Sequence, residues 1–255
     1  MVKNSKLVES IENCFYDNFC TYGYRRIAKS LQNQGILVNH KKVLKIMNLL
    51  GLHPIQTKVA KYNSYKKDAD TEYFDDLIKR DFKANLPNEK WTTDITEFKL
   101  PGITQKLYLA PVLDMCTKEI VSFRMSTSPS ANLVYDAAFE AIEKNKNDIR
   151  PGMIFHSDRG FQNFHHSLIN LLKENNIKQS MSRKGNCNDN GIMESFFGLL
   201  KTEMFYNRED TFKNLVHLAS EIESYIYFYN NFRIKIGLNG MSPVQFKKQL
   251  ILNIL

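Results

Sequence analysis

The chain has 255 residues, 43% hydrophobic, 12% aromatic and 24% charged, which supports packed cores and excludes a wholly disordered protein. No apolar run reaches the roughly 18 residues of a membrane helix, MVKNSKLVES has no apolar leader segment, and four cysteines (Cys14, Cys20, Cys116, Cys187) are too sparse for a disulfide scaffold, so a soluble cytoplasmic protein is expected. The net charge of +8 is unevenly held: residues 1–67 carry 12 Lys and Arg against 3 Asp and Glu, and residues 68–255 carry 23 against 24, so a basic module suited to a polyanion precedes a near-neutral body.

In chain order, residues 5–17 read as a short helix through Leu7, Ile11, Cys14 and Phe15. Tyr24, Ile27, Ala28 and Leu31 share the face of a second helix, which Gly35 ends. Asn39 is a natural cap for a third, with Val43, Leu44, Met47 and Leu50 as its apolar stripe and Gly51 and Pro54 closing it. Two short amphipathic helices around a glycine turn predict a helix-turn-helix over residues 1–52. Lys41, Lys42 and Lys45 project near the start of its last helix, where bases and phosphates are met; Arg25 and Arg26 add charge on the helix before. Residues 53–85 read as a basic linker followed by a connecting helix at 71–84.

From residue 90 the texture becomes that of strands. KWTTDITEFKL, KLYLAPVLDM and KEIVSFRM predict an antiparallel meander, with Pro111 demanding a bulge or break. A helix at 131–146, the strand GMIFHSD, a helix at 162–175, the strand NIKQSM and a helix at 188–204 follow. The order β-β-β-α-β-α-β-α predicts an α/β ribonuclease H-like domain over 86–210, a mixed five-stranded sheet with flanking helices. A helical extension at 211–255 contains a long helix at 212–231 and a last one opened by Pro243.

Three carboxylates stand out. Asp94 lies in the first strand, Asp158 directly follows the fourth, and Glu194 lies early in the helix after DNG. The first and fourth strands are expected neighbours, so Asp94 and Asp158 approach each other. Grouped carboxylates repel unless they share a cation, and Mg²⁺ or Mn²⁺ suits oxygen ligands. Taken singly, each also reads as an ordinary strand, turn or helix-surface residue. A nuclease that cuts without joining, or a non-catalytic DNA-binding regulator, also fits the residues alone.

WTTDITEF, HSDRGFQ and DNGIMESFFGLLKTE resemble the three signatures of insertion-sequence DDE transposases, which are related to retroviral integrases. Between Asp158 and Glu194 lie 35 residues, the separation typical of that family. The helix-turn-helix segment and YIYFYNNFRIKIGLNGMSPVQF resemble the family's flanking regions, and the likeness spans roughly residues 20–250. It implies the second-frame product of an element whose transposase is encoded in two overlapping frames, and fusion or partnership with the upstream-frame protein. It also implies Asp94, Asp158 and Glu194 as catalytic ligands of two Mg²⁺ ions, with Mn²⁺ as a substitute. The substrate implied is double-stranded DNA, at element ends and target, cut to free a 3′-hydroxyl that then attacks another phosphodiester. A homo-oligomer on nucleoid DNA, away from any membrane, follows. Lys201, two helical turns beyond Glu194, matches the family's basic residue near the cut phosphate. Arg183, Lys184 and Arg233 are further candidates for DNA contact. His156, Gln162 and Asn190 are expected to support the ligands, with local hydrogen bonding as the equal alternative. Ser157 and Gly160 are expected to shape the turn, and Tyr225 and Tyr229 to pack.

Overall fold

The structure, a computed structural model, describes residues 2–55, 74–183 and 190–253. Most of the basic linker and Lys184 lie outside the described residues. The chain divides into two compact units, one formed by residues 1–59, 201–206 and 225–255, the other by 60–200 and 207–224.

The first unit begins with three helices, α1 (Val2–Asp17), α2 (Tyr24–Asn33) and α3 (His40–Leu49). Gly35, at φ +83°, ends α2 in the left-handed conformation that glycine adopts without penalty. The Asn39 side chain accepts the Lys41 N–H at 2.8 Å and caps α3 as expected. Ile11, Cys14 and Phe15 of α1, Ile27, Ala28 and Leu31 of α2, and Val43 and Met47 of α3 form the core. The apolar stripe of α3 differs from the one read in its sequence: Leu44 and Leu50 are exposed, while Val43 and Met47 are buried and Ile46 packs partly against the same core.

The C-terminal region does not form a separate extension beginning at 211; the chain from Tyr225 folds with the N-terminal helices. Ile234 enters their core. Its N–H donates to the Tyr22 hydroxyl at 2.8 Å, and Asn33 Nδ2 donates to the Gly240 carbonyl at 2.8 Å. The last helix, α8 (Pro243–Leu252), starts at Pro243 as read, with Ser242 and Gln245 exchanging capping hydrogen bonds.

The second unit carries the sheet. Its strands are β1 (Lys90–Thr93), β2 (Thr96–Lys99), β3 (Lys106–Asp114), β4 (Ile120–Ser126), β5 (Ile154–Ser157) and β6 (Lys178–Met181). The predicted first strand is broken at Asp94–Ile95, so five expected strands appear as six. Both halves pair antiparallel with the long β3, whose other edge carries β4. On the far side of β1, β5 and then β6 run parallel. The irregularity required by Pro111 falls one residue on, as a register shift at Val112/Leu113 between β3 and β4.

Helix α4 (Ala131–Lys144) buries Leu133, Val134, Ala137, Ala138, Ala141 and Ile142 in a core shared with Trp91, Val112 and Phe155. Helix α5 (His166–Glu174) adds Leu168, Leu171 and Leu172. Residues 74–84 form turns rather than the expected connecting helix. Asp76 Oδ1 takes the N–H groups of Ile78 and Lys79, and Lys79 and Arg80 adopt positive φ, a local side-chain bond that replaces helical ones. The helix read over 188–204 is α6 (Gly191–Leu200) followed by a π-helical turn, Lys201–Phe205. Helix α7 (Leu215–Asn231) runs from the second unit into the first. Among the described residues, no helix is long and apolar enough to cross a membrane.

Candidate active site and DNA-contact residues

The central pair of strands sets the site. In the parallel β1–β5 ladder Thr92 pairs with His156. Asp94 and Asp158 are the residues that directly follow β1 and β5, at the same end of this parallel pair. Asp94 occupies the break between β1 and β2, not a strand position as expected, and its Oδ1 accepts the Ile95 N–H at 2.7 Å. Such a break frees backbone and side chain from the regular pleat just where the ladder stops.

Asp158 is held more firmly. Its Oδ1 accepts the Gly160 N–H at 3.0 Å and the Asn163 Nδ2 at 2.9 Å. Burial pushes its carboxyl above the usual aspartate value, against the opposing pull of these two donors and of His156. Glu194 lies in the first turn of α6, where the helix dipole favours a negative charge, and burial raises its carboxyl too.

Asn190 anchors the start of α6 to the end of β1. Its Oδ1 accepts the Thr92 hydroxyl at 2.7 Å and its Nδ2 donates to the Thr93 carbonyl at 3.1 Å. It therefore links the segment carrying Glu194 to the strand preceding Asp94. Among the described residues, no three His, Cys, Asp or Glu side chains are grouped closely enough to hold a metal ion. Asp94 and Asp158 follow the ends of adjacent parallel strands, and the three carboxylates do not form one cluster. The donor chemistry nonetheless fits a hard divalent cation: oxygen only, with two carboxyls whose charged forms burial disfavours until a counter-charge arrives.

His156 makes local hydrogen bonds, one of its two expected roles. It is fully buried, with Nδ1 2.9 Å from Ser180 Oγ and Nε2 3.2 Å from Ser182 Oγ. Both ring nitrogens are thus engaged between β5 and the segment around β6. Gln162 lies in the short 3₁₀ turn Phe161–Phe164, and its buried Oε1 has no hydrogen-bond partner among the described residues. Gly160 shapes the turn as read: a Cβ there would stand 2.7 Å from Gln162 Oε1 and 3.0 Å from Asp158 Oδ1.

Three comparisons bear on this arrangement. Family models described as integrase core domain match residues 84–187 and 194–251, and an HTH-like domain matches residues 3–59. The chain is 40% identical over 247 residues to the InsK protein of insertion sequence element IS150 from Escherichia coli, covering 97% of this chain and 84% of that one. It is 36% identical to the transposase for insertion sequence element IS904 from Lactococcus lactis, covering 97% and 95%. The chain belongs to the insertion-sequence transposases with an integrase core. By family it is a DDE-type polynucleotidyl transferase. The fold agrees: the HTLV-2 integrase catalytic core domain in complex with magnesium superposes with a TM-score of 0.51 at 18% identity, over 65% of this chain and 99% of that one.

The candidate DNA contacts of the transposase divide. Lys41, Lys42 and Lys45 are exposed on α3, and Arg25 is exposed on α2 with its guanidinium 5.6 Å from the Tyr24 ring centroid. Arg183 is half-exposed, 3.7 Å from Asp76 Oδ2. Lys201 opens the π turn, so the α-helical count from Glu194 ends one residue before it. Arg233 is not a DNA contact: it is fully buried, and its Nε and Nη2 donate to Glu203 Oε2 and Oε1 at 2.7 and 2.5 Å. Arg26 turns the same way, over the Tyr22 ring and 3.9 Å from Glu203 Oε1. Tyr225 donates to Glu203 Oε2 at 2.8 Å, and both Tyr225 and Tyr229 are buried, as expected of packing residues. Glu203 and Asn163 are the residues that sequence reading missed; each is an ordinary polar residue in its own segment, and only its distant partner reveals it.

Proposed function

We propose that this transposase cuts DNA at the ends of its element and joins the freed 3′-hydroxyl to target DNA, using Asp94, Asp158 and Glu194 as ligands for two Mg²⁺ ions. The observation that supports the reading is the parallel β1–β5 pairing, since Asp94 and Asp158 directly follow these two strands at one end, with Asn190 joining the start of the Glu194 helix to the end of β1. The magnesium named for the related integrase core supports the choice of ion. When bound, Mg²⁺ supplies charge stabilisation at a phosphodiester and a more acidic attacking water.

The protein's own part is positioning. Gly160 and Asn163 hold one oxygen of Asp158, Asn190 holds the start of α6, and the exposed lysines of α3 engage the phosphate backbone. In the first step water attacks the phosphorus and the leaving 3′-oxygen takes up a proton. In the second, that 3′-hydroxyl loses its proton, forms a new ester bond to a target phosphorus and displaces the target's own 3′-oxygen. The count of ester bonds is unchanged in the joining step, so no energy source is needed.

The test is a joining assay with duplex DNA bearing the element ends, in Mg²⁺, comparing the native chain with Asp94→Ala. Cleavage and joining by the native chain and neither by the variant support the reading. Cleavage without joining identifies a nuclease. DNA binding with neither reaction, unaffected by Asp94→Ala, identifies a DNA-binding regulator.

A further inference from the structure

Asn163 follows Asp158 by five residues and is 2% exposed. Its Nδ2 lies 2.9 Å from Asp158 Oδ1 and 3.3 Å from the Asp158 carbonyl oxygen, so one amide group spans side chain and backbone of the same aspartate. Asn163 is itself anchored from β6: Gln179 Nε2 donates to its carbonyl at 2.7 Å. The Gly160 N–H donates to the same Oδ1 at 3.0 Å. Both donors converge on one carboxylate oxygen, and Oδ2 accepts no hydrogen bond among the described residues.

The chemistry of Asn163 matches this single task. Its amide can donate two hydrogen bonds and accept at its oxygen. The donor side is engaged with Asp158; the buried Oδ1 has no partner among the described residues. A side chain retained only to stabilise the fold gains little from a buried acceptor left unmatched, since such a group costs free energy. An apolar residue of the same shape would satisfy packing alone. What leucine cannot do is donate to Asp158.

We propose that Asn163 is a positioning residue for Asp158, fixing Oδ1 so that Oδ2 is the oxygen presented to a divalent cation. The inference rests on Asp158 being a metal ligand, as proposed above. Partners that orient a ligating carboxylate typically set metal affinity within one to two orders of magnitude. Asn163→Leu keeps a γ-branched side chain, removes the donor and also removes the unmatched oxygen, so the carboxylate loses its orientation.

The experiment titrates the full-length chain with Mn²⁺ alone, by calorimetry, for the native protein, Asn163→Leu, Asn163→Ser and Asp158→Asn. Thermal unfolding without metal is measured in parallel. Asn163→Leu should weaken Mn²⁺ binding about tenfold with its unfolding temperature retained. Cleavage should need correspondingly more metal. Asn163→Ser, too short to reach Asp158, carries the same expectation, so a misfolded leucine variant leaves the test intact. Native Mn²⁺ affinity in the Asn163 variants, with binding lost in Asp158→Asn, overturns this inference alone. Native affinity in Asp158→Asn overturns the ligand role of Asp158 and this inference with it.

Discussion

Arg233 and Glu203 face each other as a fork on a fork, Nε to Oε2 at 2.7 Å and Nη2 to Oε1 at 2.5 Å, both side chains almost wholly buried. Arg26 and the Tyr225 hydroxyl complete the shell around Glu203. The paired carboxylate holds the Arg233 guanidinium above its ordinary value, outweighing burial. Taking one member of such a pair away strands the other charge in a dry site. Arg233→Met is therefore expected to cost about 3–5 kcal/mol in chemical denaturation. Arg233→Met combined with Glu203→Met should recover most of that loss, because two apolar side chains leave no unpaired charge. A double variant as unstable as the single one would show that Tyr225 and Arg26 depend on the carboxylate more than the pair does.

The exposed lysines of α3 behave oppositely. Lys41, Lys42 and Lys45 stand clear of the core formed by Val43 and Met47. Replacing all three by alanine should leave unfolding unchanged and weaken DNA binding. The dependence of log affinity on log salt should flatten by about one unit for each phosphate that is no longer neutralised. Binding measured at several salt concentrations checks this. An unchanged slope would remove α3 from the DNA interface.

These two groups of basic residues also mark how far the sequence could be read. Lys41, Lys42 and Lys45 were legible because their surroundings are local: a capped helix whose apolar positions repeat within one turn. Arg233 was not, because its partner Glu203 lies 30 residues away in the π-helical turn, and nothing near Arg233 signals burial. The same limit applies at the site. Asp158 and Glu194 stand in motifs specific enough to single them out, and the neighbouring of the first and fourth strands followed from element order. The break at Asp94–Ile95 was hidden, since TTDITEF keeps a strand-like texture straight through it. The turn at 74–84 was hidden for a related reason: Asp76 bonding to Ile78 and Lys79 overrides a composition compatible with a helix.

Burial raises the carboxyls of Asp158 and Glu194, so both hold a proton more tightly in the fold than in the unfolded chain. Their protonation therefore contributes stability that is complete below the unfolded carboxylate range. That contribution is lost as pH rises through the elevated folded values. The metal-free protein should accordingly lose part of its stability as pH climbs above about 4 toward neutrality. Mg²⁺ should restore stability at neutral pH by favouring the ionised forms, and should have little effect at the acid end. Denaturation curves across this range, with and without Mg²⁺, check both halves. Asp158→Asn should flatten the metal-free pH dependence and reduce the Mg²⁺ effect.

Gly160 offers a sharper test of how tightly the Asp158 turn is built. Its φ of −63° is open to any residue, so an added methyl group brings no backbone strain. Space is the constraint: the new Cβ would lie 2.7 Å from Gln162 Oε1 and 3.0 Å from Asp158 Oδ1. Gln162 can swing its terminal oxygen aside at little cost. Asp158 cannot move away without lengthening its bonds to the Gly160 N–H and Asn163. Gly160→Ala is thus expected to fold normally and to lose about 10²-fold in cleavage rate, the scale associated with misplacing a reacting group by about 1 Å. Gly198, on α6, provides the control, since a Cβ there meets nothing within 4 Å. Gly198→Ala should keep its activity and gain about 0.5–1 kcal/mol of stability from the stiffer helix. Equal rates for the two variants would mean that the carboxylate tolerates displacement, and that its bonds to Gly160 and Asn163 do not govern its function.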